Sequence, residues 1–196
     1  KERLNSFFPF CIYSFNGKSA YYIVGFEDRN HWKKLLDSEV KKIMIQDNLV
    51  CCAGLPVDSL MGVQDSYEKA RKTAKSFQFL KGDIAKGSIY IYSELAIYDM
   101  LLELAKKVDV TTMMSRGLLK IREIDEKEGS EYVKTLKYFF ENNQNVGATA
   151  DSMYLHRNTI NYRLNKIRSL LEEDFDNPLI RLHLHISIMI DEMSSQ

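Results

Sequence analysis

The chain has 196 residues, 45% of them hydrophobic and 28% charged, and its 27 Lys plus Arg are balanced by 27 Asp plus Glu. This apolar content at zero net charge excludes a disordered chain, and the balance excludes a uniformly basic nucleic-acid binder. The length suits one large domain or two small ones, and neutrality leaves room for a local basic patch that only residue order can reveal.

Cys11, Cys51 and Cys52 are too few for a secreted disulfide scaffold, and no Cys-x-x-Cys spacing offers a zinc or redox motif. They read as buried thiols in a reducing cytoplasm. His183 and His185 point to nearly opposite sides of a helix; on a strand they would share a face, but no third ligand stands near them. No metal and no cofactor is expected. No apolar run approaches the ~18 residues that span a bilayer, and no signal peptide opens the chain, so the expectation is cytoplasmic with no membrane partner. Residues 1–9 read as the interior of something longer, so a missing upstream part is expected.

Phe10–Phe15 and residues 20–26 are aromatic and β-branched runs, with Asn16-Gly17 between them to supply the positive φ of a hairpin turn. The period then becomes helical, through Trp32, Leu35, Leu36, Val40, Ile43 and Met44. Residues 49–55 form a continuous apolar run, the pattern of a strand buried on both faces. Asp58 or Ser59 can cap a helix whose inward face is Leu60, Val63, Tyr67, Ala70, Ala74 and Phe77. Loops are expected at 81–83 and 86–87, then a short strand at 89–92. This order predicts a small α/β sandwich over residues 1–93. It carries none of the paired carboxylates of a metal-dependent nucleotide cyclase. The hairpin arms hold no Asp or Glu, and no phosphate-cradling P-loop is present. The domain reads as non-catalytic, and the protein as not an enzyme.

Residues 94–128 read as a helical connector, with helices at 95–107 and 111–124. It closes on a charged break that ends in a helix-stop Gly129 and a possible N-cap Ser130. Residues 129–196 form the last predicted domain. A helix at 131–142 turns Tyr132, Val133, Leu136, Phe139 and Phe140 inward, and Asn142-Asn143-Gln144-Asn145 stops it. A short helix at 146–153, a turn, and a longer helix at about 157–171 are the layout of a helix-turn-helix. On a wheel of about 100° per residue, Ile160, Leu164, Ile167 and Leu171 take one side of the longer helix. Asn158, Asn161, Tyr162, Asn165, Lys166 and Ser169 take the other side, with Arg157, Arg163 and Arg168 at the flanks. Residues 157–168 carry four basic residues and no acid, whereas residues 172–176 carry four acids. Asn suits adenine edges in the major groove, and Arg or Lys suits guanine or phosphate, so the set fits a recognition helix. Arg163 has a second reading, as the partner of Glu131 or Asp151 inside the domain. Residues 179–190 alternate as a strand does, although Asp176-Asn177-Pro178 caps a helix and Leu179, Leu182, Ile186, Met189 and Met193 fit one helix face.

Tyr132-Val133-Lys134-Thr135-Leu136, Asn145 with Thr149-Ala150, His156-Arg157-Asn158-Thr159-Ile160-Asn161-Tyr162-Arg163-Leu164 with Ile167, and Asp176-Asn177-Pro178 closely resemble one family's C-terminal helix-turn-helix. That family is the PucR/CdaR regulators of purine catabolism and sugar diacid use. Asp125-Glu126 and Gly129 resemble its connector. Ser59-Leu60 and Ser66-Tyr67-Glu68-Lys69-Ala70-Arg71 resemble the degenerate GGDEF-like domain that precedes the module. One departure is Gly147 inside the short helix, where Gly costs about 1 kcal/mol relative to Ala.

The resemblance implies an α+β protein and a bacterial transcription regulator, often an activator. It implies work as a homodimer or higher oligomer, an upstream sensory domain, contact with RNA polymerase, and a helix over 179–190. The expected partner is double-stranded DNA. Asn158, Asn161, Tyr162 and Asn165 are the candidate base contacts, and Arg157, Lys166 and Arg168 are candidates for phosphate or base. Thr149 and Thr159, at or near helix starts, are candidates for phosphate, and His156 and Arg163 are either contacts or structural. The alternative is a nucleotide- or small-ligand-binding sensor whose C-terminal helices serve oligomerisation.

Overall fold

The computed structural model describes residues 7–17, 19–28, 32–80 and 88–194. The loops expected at 81–83 and 86–87, and most of residues 1–9, lie outside the described residues. The fold is α+β, and the chain divides into two compact units, Lys1–Met100 and Leu101–Gln196. Among the described residues no helix is long and apolar enough to cross a membrane.

In the first unit, β1 (Phe10–Phe15) and β2 (Ala20–Gly25) form an antiparallel hairpin that pairs Phe15 with Ala20 and Phe10 with Gly25. Gly17 supplies the positive φ at its turn, at 84°. The Asn16 side chain closes the loop by accepting from the Ser19 N–H at 3.0 Å. Next come α1 (Trp32–Leu35), a π-helical segment (Leu36–Val40) and α2 (Lys41–Asp47). Val40, Ile43 and Met44 pack with Phe8 into a buried cluster. β3 (Cys51–Ala53) pairs in parallel with β4 (Ile89–Ile91), and α3 (Val63–Phe77) forms the crossover between them.

Two readings of this unit need correction. The predicted strand at 49–55 shortens to Cys51–Ala53, half-buried rather than buried on both faces, with Leu49 and Val50 exposed. Among the described residues its sheet has two strands and is separate from the hairpin. The inward face of α3 also differs from the apolar stripe: Leu60 is 84% exposed and Tyr67 and Ala74 are exposed, whereas Thr73 and Ser76 are buried. The reason is close approach. A Cβ on Gly54 would lie 2.0 Å from the Ser66 carbonyl oxygen, so helix and strand end meet through small residues. Thr73 Oγ1 donates to the Lys69 carbonyl within its own helix at 2.9 Å, which satisfies its buried hydroxyl. Burial pushes the Cys51 and Cys52 thiols up to about 11, which keeps them protonated and unreactive.

α4 (Tyr92–Ala105) spans the division between the units. The second unit continues with α5 (Arg116–Glu128), α6 (Tyr132–Glu141), α7 (Val146–Ser152), α8 (Arg157–Leu170) and α9 (Pro178–Ser194). Its core gathers Leu118 and Ile121 of α5, Leu136, Phe139 and Phe140 of α6, Ala150 of α7, Ile160, Leu164 and Ile167 of α8, and Leu184 and Ile188 of α9. α5 therefore packs with the helices that follow it.

α9 is a helix, against the alternation of its sequence. Pro178 opens it, and the Asn177 side chain accepts from the Leu179 N–H at 2.9 Å. Its buried residues are Leu184, Ser187, Ile188, Met189 and Ile190. Of the face expected from the sequence, Met189 is buried and Ile186 and Met193 are half-buried, whereas Leu179 (72%) and Leu182 (54%) are exposed, so that face is corrected at its N-terminal end. Ser187 explains part of the shift. It is buried among the aliphatics because its hydroxyl accepts from the Ser115 N–H at 2.8 Å and donates to the His183 carbonyl. Arg122–Asp191 at 2.5 Å and Lys137–Glu192 add ion pairs from α5 and α6 to the end of α9.

The α5–α6 junction is fixed by Asp125. Gly129 ends α5 in the left-handed conformation. The Asp125 carboxylate then reaches across the turn and accepts from the Tyr132 N–H (2.9 Å), the Val133 N–H (2.8 Å) and the Ser130 hydroxyl (2.6 Å). The cap of α6 thus comes from the preceding helix, and the expected Ser130 cap gives its hydroxyl to Asp125 instead. Asp125→Ala should lower the unfolding free energy by about 0.5–2 kcal/mol, the range for losing a helix cap. Asp125→Asn, which keeps one acceptor, should lose less, as read by urea midpoints of the two variants.

Candidate nucleic-acid interface

The helix-turn-helix is assembled from local bonds. Asn143 and Gln144 both take positive φ, so the chain reverses sharply after α6. The Asn145 side chain caps α7 by accepting from the Ala148 N–H at 3.0 Å. Gly147 leaves that cap room, since a Cβ there would sit 3.2 Å from the capping oxygen. Ala150, only 1% exposed, brings α7 into the core shared with α8. Tyr154 bends the turn with a φ of 55°, and the Leu155 N–H returns to the Ala150 carbonyl at 2.9 Å. His156 caps α8, its Nδ1 accepting from the Asn158 N–H at 3.2 Å.

α8 buries Ile160, Leu164 and Ile167 and turns its other side outward. Asn158, Asn161, Tyr162 (66%), Asn165, Lys166 and Ser169 are exposed, as are Arg157 and Arg168 at the flank. The structure brings these residues onto one face of one helix. Asn161 and Tyr162 have no side-chain hydrogen bond among the described residues. Arg157 and Lys166 have no ion pair among the described residues.

Two residues leave the surface set. Thr149 is fully buried, and its hydroxyl donates to the Asn145 carbonyl at 2.7 Å, so it offers nothing to a phosphate. Arg163 is 18% exposed at its side chain. Both its terminal nitrogens donate to Glu131 Oε2 at 3.2 Å, and Nη1 also donates to Thr135 Oγ1 at 3.2 Å. Of its two sequence readings, the internal ion pair with Glu131 is the one observed. Thr159 is half-buried, and His156 is exposed but engaged as the cap.

Arg168 is partly committed. Its guanidinium lies 5.2 Å from the centre of the Phe175 ring, 3.5 Å from Asp176 and 3.4 Å from Asn165 Oδ1. Of the four basic residues on α8, Arg157 and Lys166 are thus uncommitted among the described residues. Sequence reasoning passed over Tyr154, which is 94% exposed at the tip of the turn. The available signal was an aromatic side chain in a tight turn, with no place in the apolar period on either side.

The Lys134 ammonium holds the Glu131 carboxyl below its ordinary value, with the Arg163 guanidinium adding to it and partial burial opposing. A depressed carboxyl contributes stability above its unfolded value and loses it as pH falls through the folded value. Urea midpoints of the wild type should therefore drop more steeply below pH 4.5, the ordinary value, than those of Glu131→Gln. Parallel acid-limb profiles for the two proteins would contradict this linkage.

Residues 132–190 match the PucR C-terminal helix-turn-helix domain, a span that holds all of α6, α7 and α8. The chain is 25% identical over 144 residues to the proline-responsive transcriptional activator PutR of Bacillus subtilis, covering 69% of this chain and 35% of that protein. It is 26% identical over 169 residues to the DNA-binding transcriptional activator AdeR of the same organism, covering 86% of this chain and 39% of the relative. To the carbohydrate diacid regulator of Escherichia coli it is 28% identical over 128 residues, 65% of this chain and 32% of the relative. The chain thus spans between 32% and 39% of the length of these curated relatives.

Proposed function

We propose, with the PucR-type helix-turn-helix domain at residues 132–190 as the premise, that this chain is the DNA-binding part of a transcription regulator. One observation carries the reading. α8 presents an outward stripe of amides and one tyrosine, with Arg157 and Arg168 along one border and Lys166 along the other. A helix lying in the major groove meets base edges at its centre line and one phosphate backbone on each side, and this layout supplies amides to the first and cations to the second. Asn158, Asn161, Tyr162 and Asn165 take the base edges. Arg157, Lys166 and Arg168 take phosphate, with His156 and Thr159 at the entry of the helix.

The relatives' names support an activator, since PutR and AdeR are both named as such. In this reading the first part of the chain, residues 1–93, is a GGDEF-like domain without catalysis, residues 94–128 are the connector, and residues 129–196 bind DNA. The protein acts in the cytoplasm as a homodimer or higher oligomer. An upstream sensory domain detects the effector, and RNA polymerase is the contact through which it activates.

Electrostatics set the scale of binding. With two cations on α8 uncommitted among the described residues and one partly committed, the contacts of this helix should make the logarithm of affinity fall against the logarithm of salt with a slope of about −2 to −3 per chain. A dimer should show about twice that slope. Arg157→Ala should weaken binding to every duplex and reduce the slope by about 1. Fluorescence anisotropy on random-sequence duplex across a salt series measures both. Binding that fails to respond to salt would contradict the proposal.

A further inference from the structure

The centre of the α8 stripe carries a chemical bias that its borders do not. With Asn158 set at zero and about 100° per residue, Asn165 falls near −20°, Ser169 near +20°, Tyr162 near +40° and Asn161 near −60°. Arg168 and Arg157 fall near −80° and −100°, and Lys166 near +80°. Within the central band no residue is charged. α8 carries no Asp or Glu anywhere.

These absences exclude two of the direct ways of reading a base. Guanine is recognised by Arg or Lys aimed at O6 and N7, and cytosine by a carboxylate that accepts from N4. Neither donor nor acceptor of that kind stands on the centre line. Three primary amides stand on it or within about 60° of it, and a primary amide matches adenine: Nδ2 donates to N7 while Oδ1 accepts from N6. The Asn161 amide makes no hydrogen bond among the described residues. Asn165 shares one lone pair of Oδ1 with Arg168 at 3.4 Å and keeps the other, together with both N–H donors. The exposed ring of Tyr162, between Asn158 and Lys166 on the wheel, offers an apolar edge suited to a thymine methyl. Asn158 and Asn165 are seven residues apart, about 10.5 Å along the axis, which is the height of about three stacked base pairs.

We propose that the outer stripe of α8 is an adenine reader, so that the preferred duplex holds a core of about three A·T pairs in each half-site. The proposal rests on the DNA-binding reading above and adds the base it selects. Asn158, Asn161 and Asn165 each bond one adenine edge, and Tyr162 packs on the methyl of a paired thymine. The flanking cations hold the helix in register without choosing the base.

The test is selection from a random duplex library by the whole chain at low salt, followed by atom-specific substitution. The enriched sequences should share an A·T core. Replacing core adenines one at a time with 7-deazaadenine, which lacks the N7 acceptor, should weaken binding about 2- to 10-fold at each position. Asn161→Ala should flatten the preference at one position by about 5- to 100-fold, and Asn161→Arg should turn adenine into guanine there. Retained duplex with a G·C core, or with no base preference, overturns the proposal and leaves the DNA-binding reading standing. An A·T core indifferent to 7-deazaadenine also overturns it, because the selection then comes from a narrow minor groove. If no duplex is retained at any salt concentration, the DNA-binding reading fails and this proposal fails with it. The selection and the 7-deazaadenine series use the wild-type protein, so both stand even where a variant does not fold.

Discussion

The outward face of α8 has a fixed direction because its inward face is locked. Ile160, Leu164 and Ile167 are essentially removed from solvent, in contact with a core that draws on α5, α6, α7 and α9. Three aliphatics at that spacing define one orientation about the helix axis, and rotation by one residue, about 100°, would carry all three away from the core and bring polar side chains toward it. The Arg163 guanidinium adds a polar lock, held by Glu131 and Thr135 at the start of α6. Everything that the other face can do depends on this constraint. Its amides and cations are useful for recognition only if their direction is set before any partner arrives.

Side-chain caps carry the same constraint along the backbone. Asp125 caps α6, Asn145 caps α7, His156 caps α8 and Asn177 caps α9. Each fixes where its helix begins, and so the rotational phase at which its apolar stripe meets the core. The turn between α7 and α8 leaves little slack, since Leu155 returns its N–H to Ala150 and Tyr154 takes a left-handed backbone conformation. A substitution at Asp125, Asn145 or Asn177 would therefore act on the outward face of α8 through helix phase without touching that face.

The C-terminal unit was legible in the sequence where side chains alternate between apolar and polar at helical spacing. The boundaries of α6, α7 and α8 and their buried apolar residues follow from that spacing, and the stops of α5 and α6 from Gly129 and the Asn-rich run at 142–145. Legibility failed where polar atoms were buried with partners distant in sequence. Ser187 faces inward because Ser115, far away in the chain, gives it a hydrogen bond, which no local pattern records. Thr73 and Ser76 form the inward side of α3 because Gly54 lets the strand end approach, so small size outweighed hydrophobicity there. The site was legible as a set of exposed residues on one helix. The commitments within it were not: Thr149 looked like a surface hydroxyl and is a buried one, and Arg163 had two sequence readings that only Glu131 and Thr135 distinguish.

Charge neutrality takes on a more definite meaning once the partners are known. Four cations on α8 are followed by four acids at 172–176, yet the two groups do not simply cancel. Glu172 pairs with Lys120 on α5, and Asp174 accepts from the Asp176 N–H in its own turn. Among the described residues, Asp176 is the acid of this group that forms an ion pair with α8, at Arg168, which also lies over Phe175. The acids therefore leave Arg157 and Lys166 uncompensated at opposite borders of the stripe. On the proposed reading, two α8 cations without an ion pair among the described residues are a weak electrostatic anchor, so base contacts would carry a large share of selective binding and a second copy would double the anchor. On the proposed reading, few unpaired cations on the α8 face limit indiscriminate attachment to duplex and leave the base preference to the amides at its centre.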